Sequence, residues 1–482
     1  MKSIPSKNRL TKVEAWGMAS ASVSYVYRPN TIQGILDAIE EARIAGLKVA
    51  FKGTGNSYGD AFQCSEGVVI DLSRMNRIID WSPDSGVVEC EAGVTIRDLW
   101  RYTIEDGWWI PVVSGTSFVT LGGALSANIH GKNNFHEGPI GEHVLSFDLL
   151  TPDGRLFRVS PEENSELFYA AIGGFGLLGC IVSVRLQMKK IYSGLLNVEA
   201  IAVRNWDEAF SVFERRLPYA DYLVGWIDCF ASGRSCGRGQ IHFATYLKPG
   251  EDPHPEESLS VSAQELRDTT LGFIPRSKLW FLMKPWVNPL GMRIINSLKY
   301  FGAVREHGHK FTQPLVHFNF LLDSAPNWKW CYRPGGLIQY QPFIPTENAP
   351  KTFEKIVTLC QERGLVPYLA VLKKHRRDLF LLSHAVDGYS LALDFPVTRK
   401  NRERLWSLLR ALDEIVLDAG GRFYFAKDST CSPGTVRKFL GDEVLHRFFT
   451  LKHQYDPEEI LETELYRRVF KPILKESRAA AV

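Results

Sequence analysis

The sequence predicts an α+β protein of two domains, the second built on an antiparallel sheet. Three observations lead there. The chain has 482 residues, more than one hydrophobic core usually serves. Its N-terminal part reads as short apolar strands with few helices, broken by glycine-rich turns. Residues 337–426 run strand, helix, strand, strand, helix, strand, the split ferredoxin-like order.

A helix is predicted over 31–45, where Thr31 caps it and Ile32, Ile35, Leu36 and Ile39 form one stripe before Gly46 ends it. Strands follow at 48–52, 68–72 and 87–92, a helix at 95–106, and strands at 145–150 and 180–188. Residues 195–245 begin as strand, helix, strand, strand, and 247–262 read as a linker. Strands are then expected at 337–344, 366–372, 389–396 and 422–426, with helices at 350–363 and 400–418. The last helix carries Leu405, Leu408, Leu409, Leu412, Ile415 and Val416 on one face, and Gly420-Gly421 stops it. The expected division is 1–194, a second domain over 195–421, and a segment 422–482 that returns to the first.

Composition excludes several classes. A net charge of +3 gives no pull toward nucleic acid. Eight cysteines without a CxxC pair read as reduced thiols of a cytoplasmic protein. The N-terminus lacks the apolar core of a secretory signal, and no apolar run is long enough to span a bilayer. Residues 272–301 mix Trp, Phe and Leu with Lys and Arg, which fits a peripheral membrane contact or a buried helix pair broken at Pro285 and Pro289. No metal site is expected, since His307 and His309 have no neighbouring ligand cluster, and no GxSxG motif offers a serine nucleophile.

Three segments carry the chemistry. Gly53-Thr54-Gly55-Asn56-Ser57-Tyr58-Gly59-Asp60 follows a strand and permits a tight loop whose amides converge on an anion. It is neither a dinucleotide fingerprint followed by a helix nor a Walker loop. Residues 114–133, SGTSFVTLGGALSANIHGKN, are small enough for backbone to approach a large flat ligand, with Gly122-Gly123 offering more donors. His130 and Lys132 share a side of that tract if it is extended. Gly173-Gly174-Phe175-Gly176-Leu177-Leu178-Gly179 precedes a strand. Each alone reads equally as a turn; together they fit one extended dinucleotide gripped by main-chain amides.

In this order the segments resemble the FAD-binding domain of the vanillyl-alcohol-oxidase/p-cresol-methylhydroxylase flavoproteins, and most closely the decaprenylphosphoryl-ribose 2′-oxidase family. The resemblance continues through GGLIQYQPFIP (335–345), AVLKKH (370–375), LALDFP (391–396) and GGRFYFAKDS (420–429), and is weak over 250–330. It implies a two-part FAD-binding (PCMH-type) domain with a substrate cap. It implies an FAD site made by Gly53 to Asp60 with Gly115, Thr120, Leu121, Gly122, Gly123, Asn128, Ile129 and His130. Ile181 would meet the adenine, and Tyr424 and Lys427 would reach the flavin. It implies a substrate pocket of Tyr58, His130, Lys132, Gln339, Gln341, Lys373 and Lys427. Many superfamily members attach flavin to a histidine in the first loop; Gly55-Asn56-Ser57 lacks one, so non-covalent FAD is expected.

The implied reaction oxidises the 2′-hydroxyl of a polyprenyl-phosphate-linked ribofuranose, and a short-chain reductase partner completes the epimerisation. Ser390 and Ala392 depart from the family's Asn-x-Cys before its Asp-Phe-Pro, which leaves a free polyol, an aldonolactone or another glycolipid open as substrate. A flavin-binding, membrane-associated scaffold is the alternative from another class. Alcohol oxidation needs a hydride acceptor, a base for the hydroxyl proton and a cation for the reduced flavin. Lys427, expected at a strand end, suits the last role; Tyr58, His130 and Lys427 are the candidate bases. Lys132 and Lys373 would hold a phosphate, and Gln339 and Gln341, alternating on one strand, would read sugar hydroxyls.

Overall fold

The computed structural model describes residues 5–270 and 274–480. Strands β1 (Leu10–Glu14), β2 (Ala21–Tyr27), β3 (Val49–Lys52) and β4 (Val68–Asp71) form a four-stranded sheet ordered β1-β2-β4-β3, with β2 and β3 parallel to β4. The crossover is α1 (Ile32–Ala45), capped by Thr31 and ended by Gly46 at φ 71°. Its buried side, Ile35, Ala38, Ile39 and Ala42, lies on this sheet's core. Strands β5 (Ile78–Ser82), β6 (Val87–Glu91), β7 (Val144–Leu150), β8 (Leu156–Val159) and β9 (Cys180–Gln187) form an antiparallel sheet ordered β5-β6-β9-β7-β8. Helix α2 (Ile96–Thr103) opens with a capping box between Thr95 and Asp98, and α3 (Leu121–Ser126) sits inside the small-residue tract.

A nine-stranded antiparallel sheet follows. Its first half holds β10 (Leu195–Val203), β11 (Tyr222–Ile227), β12 (Gly239–Tyr246) and β13 (His309–Pro314), with α4 (Trp206–Arg216), α5 (Leu279–Met283) and α6 (Pro289–Arg305). Its second half holds β14 (Leu337–Tyr340), β15 (Pro342–Pro345), β16 (Leu369–His375), β17 (Gly388–Pro396) and β18 (Arg422–Phe423), with α7 (Ala349–Glu362) and α8 (Arg402–Asp418). The order is β13-β10-β12-β11-β16-β17-β15-β18, with β14 also on β17. Each half is therefore a split βαββαβ unit, and the two join edge to edge through Gly225–Leu372 and Trp226–Val371. The sequence displayed only the opening of the first unit.

Three expected strands differ. The single strand at 337–344 is two, because Pro342 has no N–H for the ladder between β14 and β15. The strand expected at 366–372 starts at Leu369, after Pro367, and runs on to His375, its lysines paired into the ladder opposite Ser390 and Tyr389. The strand expected at 422–426 stops at Phe423; the chain then turns, with the amides of Lys427 and Asp428 donating to the Tyr424 carbonyl. Lys427 is thus held on a turn, not at a strand end. Helices α9 (Pro433–Leu440) and α10 (Asp442–Tyr455) complete the chain's return, and the Glu462 amide closes on the Val49 carbonyl at 2.8 Å. All eight cysteines are buried and unpaired.

Candidate active site

The three glycine-rich segments meet. Gly53 packs so closely on the second segment that a Cβ there would lie 2.1 Å from Thr120 Oγ1. The Gly173 and Phe175 amides donate to the carbonyls of Leu125 and Ser126, each at 3.0 Å. Between these loops and the nine-stranded sheet lies a cavity of about 670 Å³, within the range of cofactor sites. Its wall runs from Phe51, Cys180 and Ile181 past Gly53–Tyr58 to Lys427 and the strands of the cap.

Main-chain donors single out the first loop. Among the described residues, the amides of Gly53, Thr54, Gly55, Asn56 and Ser57 donate to no protein acceptor, and all five residues line the cavity. A cluster of free amides facing a cavity suits an anionic diphosphate. The Gly122-Gly123 pair is different. Gly122 N donates to Ala92 O at 2.8 Å, and Gly123 N to the capping Thr120 hydroxyl at 3.3 Å. Those glycines serve close approach: a Cβ on Gly122 would lie 2.6 Å from the Ala92 methyl. The expected second set of donors is therefore already engaged.

Other expected residues divide the same way. Gly115, Thr120, Ile129, His130, Lys132, Ile181, Gln339, Gln341, Lys373, Tyr424 and Lys427 line the cavity. Gly59, Asp60, Leu121 and Asn128 stand behind its wall. A Cβ on Gly59 would lie 1.9 Å from the Asp428 carbonyl, and Asp60 pairs with Arg468 at 2.8 Å. Arg468 also pairs with Asp428, and Tyr58 N donates to Ala426 O at 3.0 Å. These contacts clamp the turn bearing Lys427 against the first loop. Leu121 is core, and Asn128 Oδ1 accepts from the Gly141 amide.

Lys427 Nζ sits 3.8 Å from the centre of the Tyr58 ring, which in turn packs on Trp16. Opposite lies Asp394 of β17, fully buried, with Oδ1 accepting from Gln339 at 2.5 Å and Oδ2 without a partner. Burial lowers the Lys427 pKa, Asp394 opposes that shift, and Lys373 adds to it. Burial raises the Asp394 pKa against the pull of Gln339 and Lys427. Burial brings Lys132 down to about 7, with Lys373 adding to the effect, and Lys373 down to about 8. Asp394 was the residue missed by sequence reading; an acid within the apolar run Leu391–Phe395 was its only signal.

Hydrogen bonds fix three histidines, His130 in the wall and His375 and His384 behind it. Gln341 Nε2 donates to His130 Nε2 at 3.0 Å and to Ser390 Oγ at 3.1 Å. His130 therefore carries its proton on Nδ1 and donates to His384 Nε2 at 3.0 Å. Ser390 donates to His375 Nε2 at 2.7 Å, and His375 Nδ1 to Asn134 Oδ1 at 2.9 Å. Burial keeps all three rings neutral, driving His130 and His375 well below the usual histidine value and His384 to about 3. Both nitrogens of His130 are engaged, so it lacks a free site for a substrate proton. The Tyr58 phenol is pushed far up by burial and stays protonated. Of the three candidate bases, Lys427 alone pairs a pKa lowered by burial with a cavity-lining nitrogen that, among the described residues, no hydrogen bond engages.

The residues fit FAD: bare amides for a diphosphate, glycines where a ring must pass close, and an aromatic and cationic end for the flavin. Residues 23–160 match the FAD binding domain family. The chain is 28% identical over 475 residues to the decaprenylphosphoryl-beta-D-ribose oxidase of Mycolicibacterium smegmatis, covering 95% of this chain and 97% of that one. It is 28% identical over 177 residues to the L-gulonolactone oxidase of Bos taurus, 36% of this chain and 40% of that one. It is 28% identical over 222 residues to the D-arabinono-1,4-lactone oxidase of Debaryomyces hansenii, 42% of this chain and 40% of that one. The protein is an FAD-dependent oxidoreductase with an FAD binding domain over residues 23–160, and it is similar to these sugar and lactone oxidases. The similarity to the decaprenylphosphoryl-beta-D-ribose oxidase runs along nearly the full length of both chains.

Proposed function

We propose that the protein oxidises the 2′-hydroxyl of a polyprenyl-phosphate-linked ribofuranose to the ketone, using non-covalent FAD. The observation that carries the reading is that Lys132, Lys373 and Lys427 line one cavity together with the buried Asp394, a wall suited to an anionic sugar. Full-length similarity to a ribose oxidase supports it. When bound, FAD supplies the two-electron acceptor for the hydride leaving C2′. Neutral Lys427 takes the hydroxyl proton, and the ammonium so formed is the cation the reduced site needs. Asp394, with a free oxygen, orients a neighbouring hydroxyl and steadies that ammonium. Lys132 and Lys373 hold the phosphate, and Gln339 and Gln341 turn polar groups toward the sugar.

The non-covalent reading rests on the first loop, which has neither His nor Cys between Gly53 and Asp60, and on the engaged nitrogens of His130. Residues 1–194 with 422–482 form the FAD unit in this proposal, and 195–421 the substrate cap. A ketone product calls for a reductase partner of the short-chain type, and the lipid-linked substrate for work at the inner face of the membrane. Ala392 in the cavity wall favours a second reading, a free polyol or aldonolactone in a roomier pocket. Anaerobic mixing with a polyprenyl-phosphoribose should bleach the flavin. Unchanged absorbance with that substrate, and bleaching by an aldonolactone, would replace the first reading by the second.

A further inference from the structure

Helix α6 is built inside out. Its buried residues are Gly291, Asn296 and Ala303, all small or polar. Its large apolar residues Leu290, Ile294, Leu298 and Phe301 recur on one face and point outward, Leu290 at 69% and Leu298 at 66% exposure. Phe281 of α5 and Trp286 just after it extend the same exposed face. A contiguous apolar surface of this kind marks an interaction site, because isolated soluble proteins rarely maintain one.

We propose that α5 and α6 are a docking surface for a bilayer bearing anionic headgroups, with the substrate cavity opening onto it. Charge identifies the occupant. Between Thr269 and Arg305 the chain has Arg276, Lys278, Lys284, Arg293, Lys299 and Arg305 and no Asp or Glu. Of these, Lys278, Lys284, Arg293 and Arg305 are exposed beside the apolar side chains, a pattern that matches the interface between acyl chains and anionic headgroups. A second copy of the chain is disfavoured, since a two-fold contact would set this uncompensated positive face against itself. The cavity supplies the other argument. Met283 and Lys299 both line it and are both exposed, so the docking elements form its mouth. A lipid-linked substrate would then pass from bilayer to cavity with its chain still among acyl tails. The docking claim takes its purpose from the proposed substrate but its evidence from the surface alone.

The test is co-sedimentation of the full-length, FAD-loaded protein with phosphatidylcholine vesicles, with and without phosphatidylglycerol. The protein should pellet with the anionic vesicles, less so as salt rises. The double substitution Leu298→Ser with Phe301→Ser should weaken partition by about ten-fold or more. It should leave the rate on a water-soluble, short-chain analogue unchanged, which shows the variant folded. Lack of wild-type binding, or binding that the double variant retains, overturns the proposal. So does a concentration-dependent dimer abolished by the same substitutions. Vesicle binding without flavin bleaching by the lipid-linked sugar would sink the substrate reading and leave docking standing.

Discussion

The two βαββαβ units of the cap share strand order and helix placement, yet their second helices are opposites. Helix α8 buries Leu405, Leu408, Leu409, Leu412 and Val416 against the sheet. Helix α6, in the equivalent position, buries Gly291, Asn296 and Ala303 and exposes its leucines and phenylalanine. The second unit also carries the polar wall of the cavity, Gln339, Gln341, Lys373 and Asp394. One unit covers its second helix's apolar face; the other leaves that face exposed, and under the docking proposal it is the side from which substrate approaches. Shared topology fixes where a helix lies but not which of its faces needs a partner.

The widest gap between the units should be in stability. Leu409→Ala in α8 should cost about 2–5 kcal/mol in urea unfolding, whereas Leu298→Ala in α6 should stay within about 0.5 kcal/mol. Equal costs would mean that α6 packs like its twin. In catalysis, Lys427→Met should slow anaerobic flavin reduction by about 10²–10³-fold while FAD stays bound. A rate near wild type would move the base elsewhere.

Acid sensitivity should belong to the second unit and its histidine neighbours. His130, His375 and His384 are neutral when folded, their values depressed by burial. The unfolded chain binds those protons first, so stability is complete above about pH 6.5 and falls as pH drops below it. Each ring contributes a slope of up to about 1.4 kcal/mol per pH unit, and His375→Gln should flatten the measured dependence. The smallest expected effect is kinetic. Asp394 raises the Lys427 value, so Asp394→Asn should move the acid limb of kcat/KM to lower pH, by about one unit. A shift to higher pH would contradict the pairing.

Much of this was legible from residue order, because it depends on local chemistry. The Thr31 cap, the first glycine loop and the shared side of Gln339 and Gln341 follow from residue type and period. The function of Gly122-Gly123 did not, because whether an amide is free depends on Ala92, thirty residues upstream in the chain. Gly59 and Asp60 read as ligand contacts until Arg468 and the 424–428 turn came against them. The engaged nitrogens of His130 depend on Gln341 and His384, distant in sequence. The segment 272–301 showed the right composition, but only the sheet beneath α6 reveals which way its apolar face looks; Gly272 and Phe273 lie outside the described residues.

The most direct test of the account is a crystal structure of the protein loaded with FAD. The diphosphate oxygens should accept from the amides of Gly53–Ser57, with Lys427 Nζ beside the flavin ring and no bond joining flavin to protein. A diphosphate held away from that loop, or Lys427 turned to bulk solvent, would contradict it.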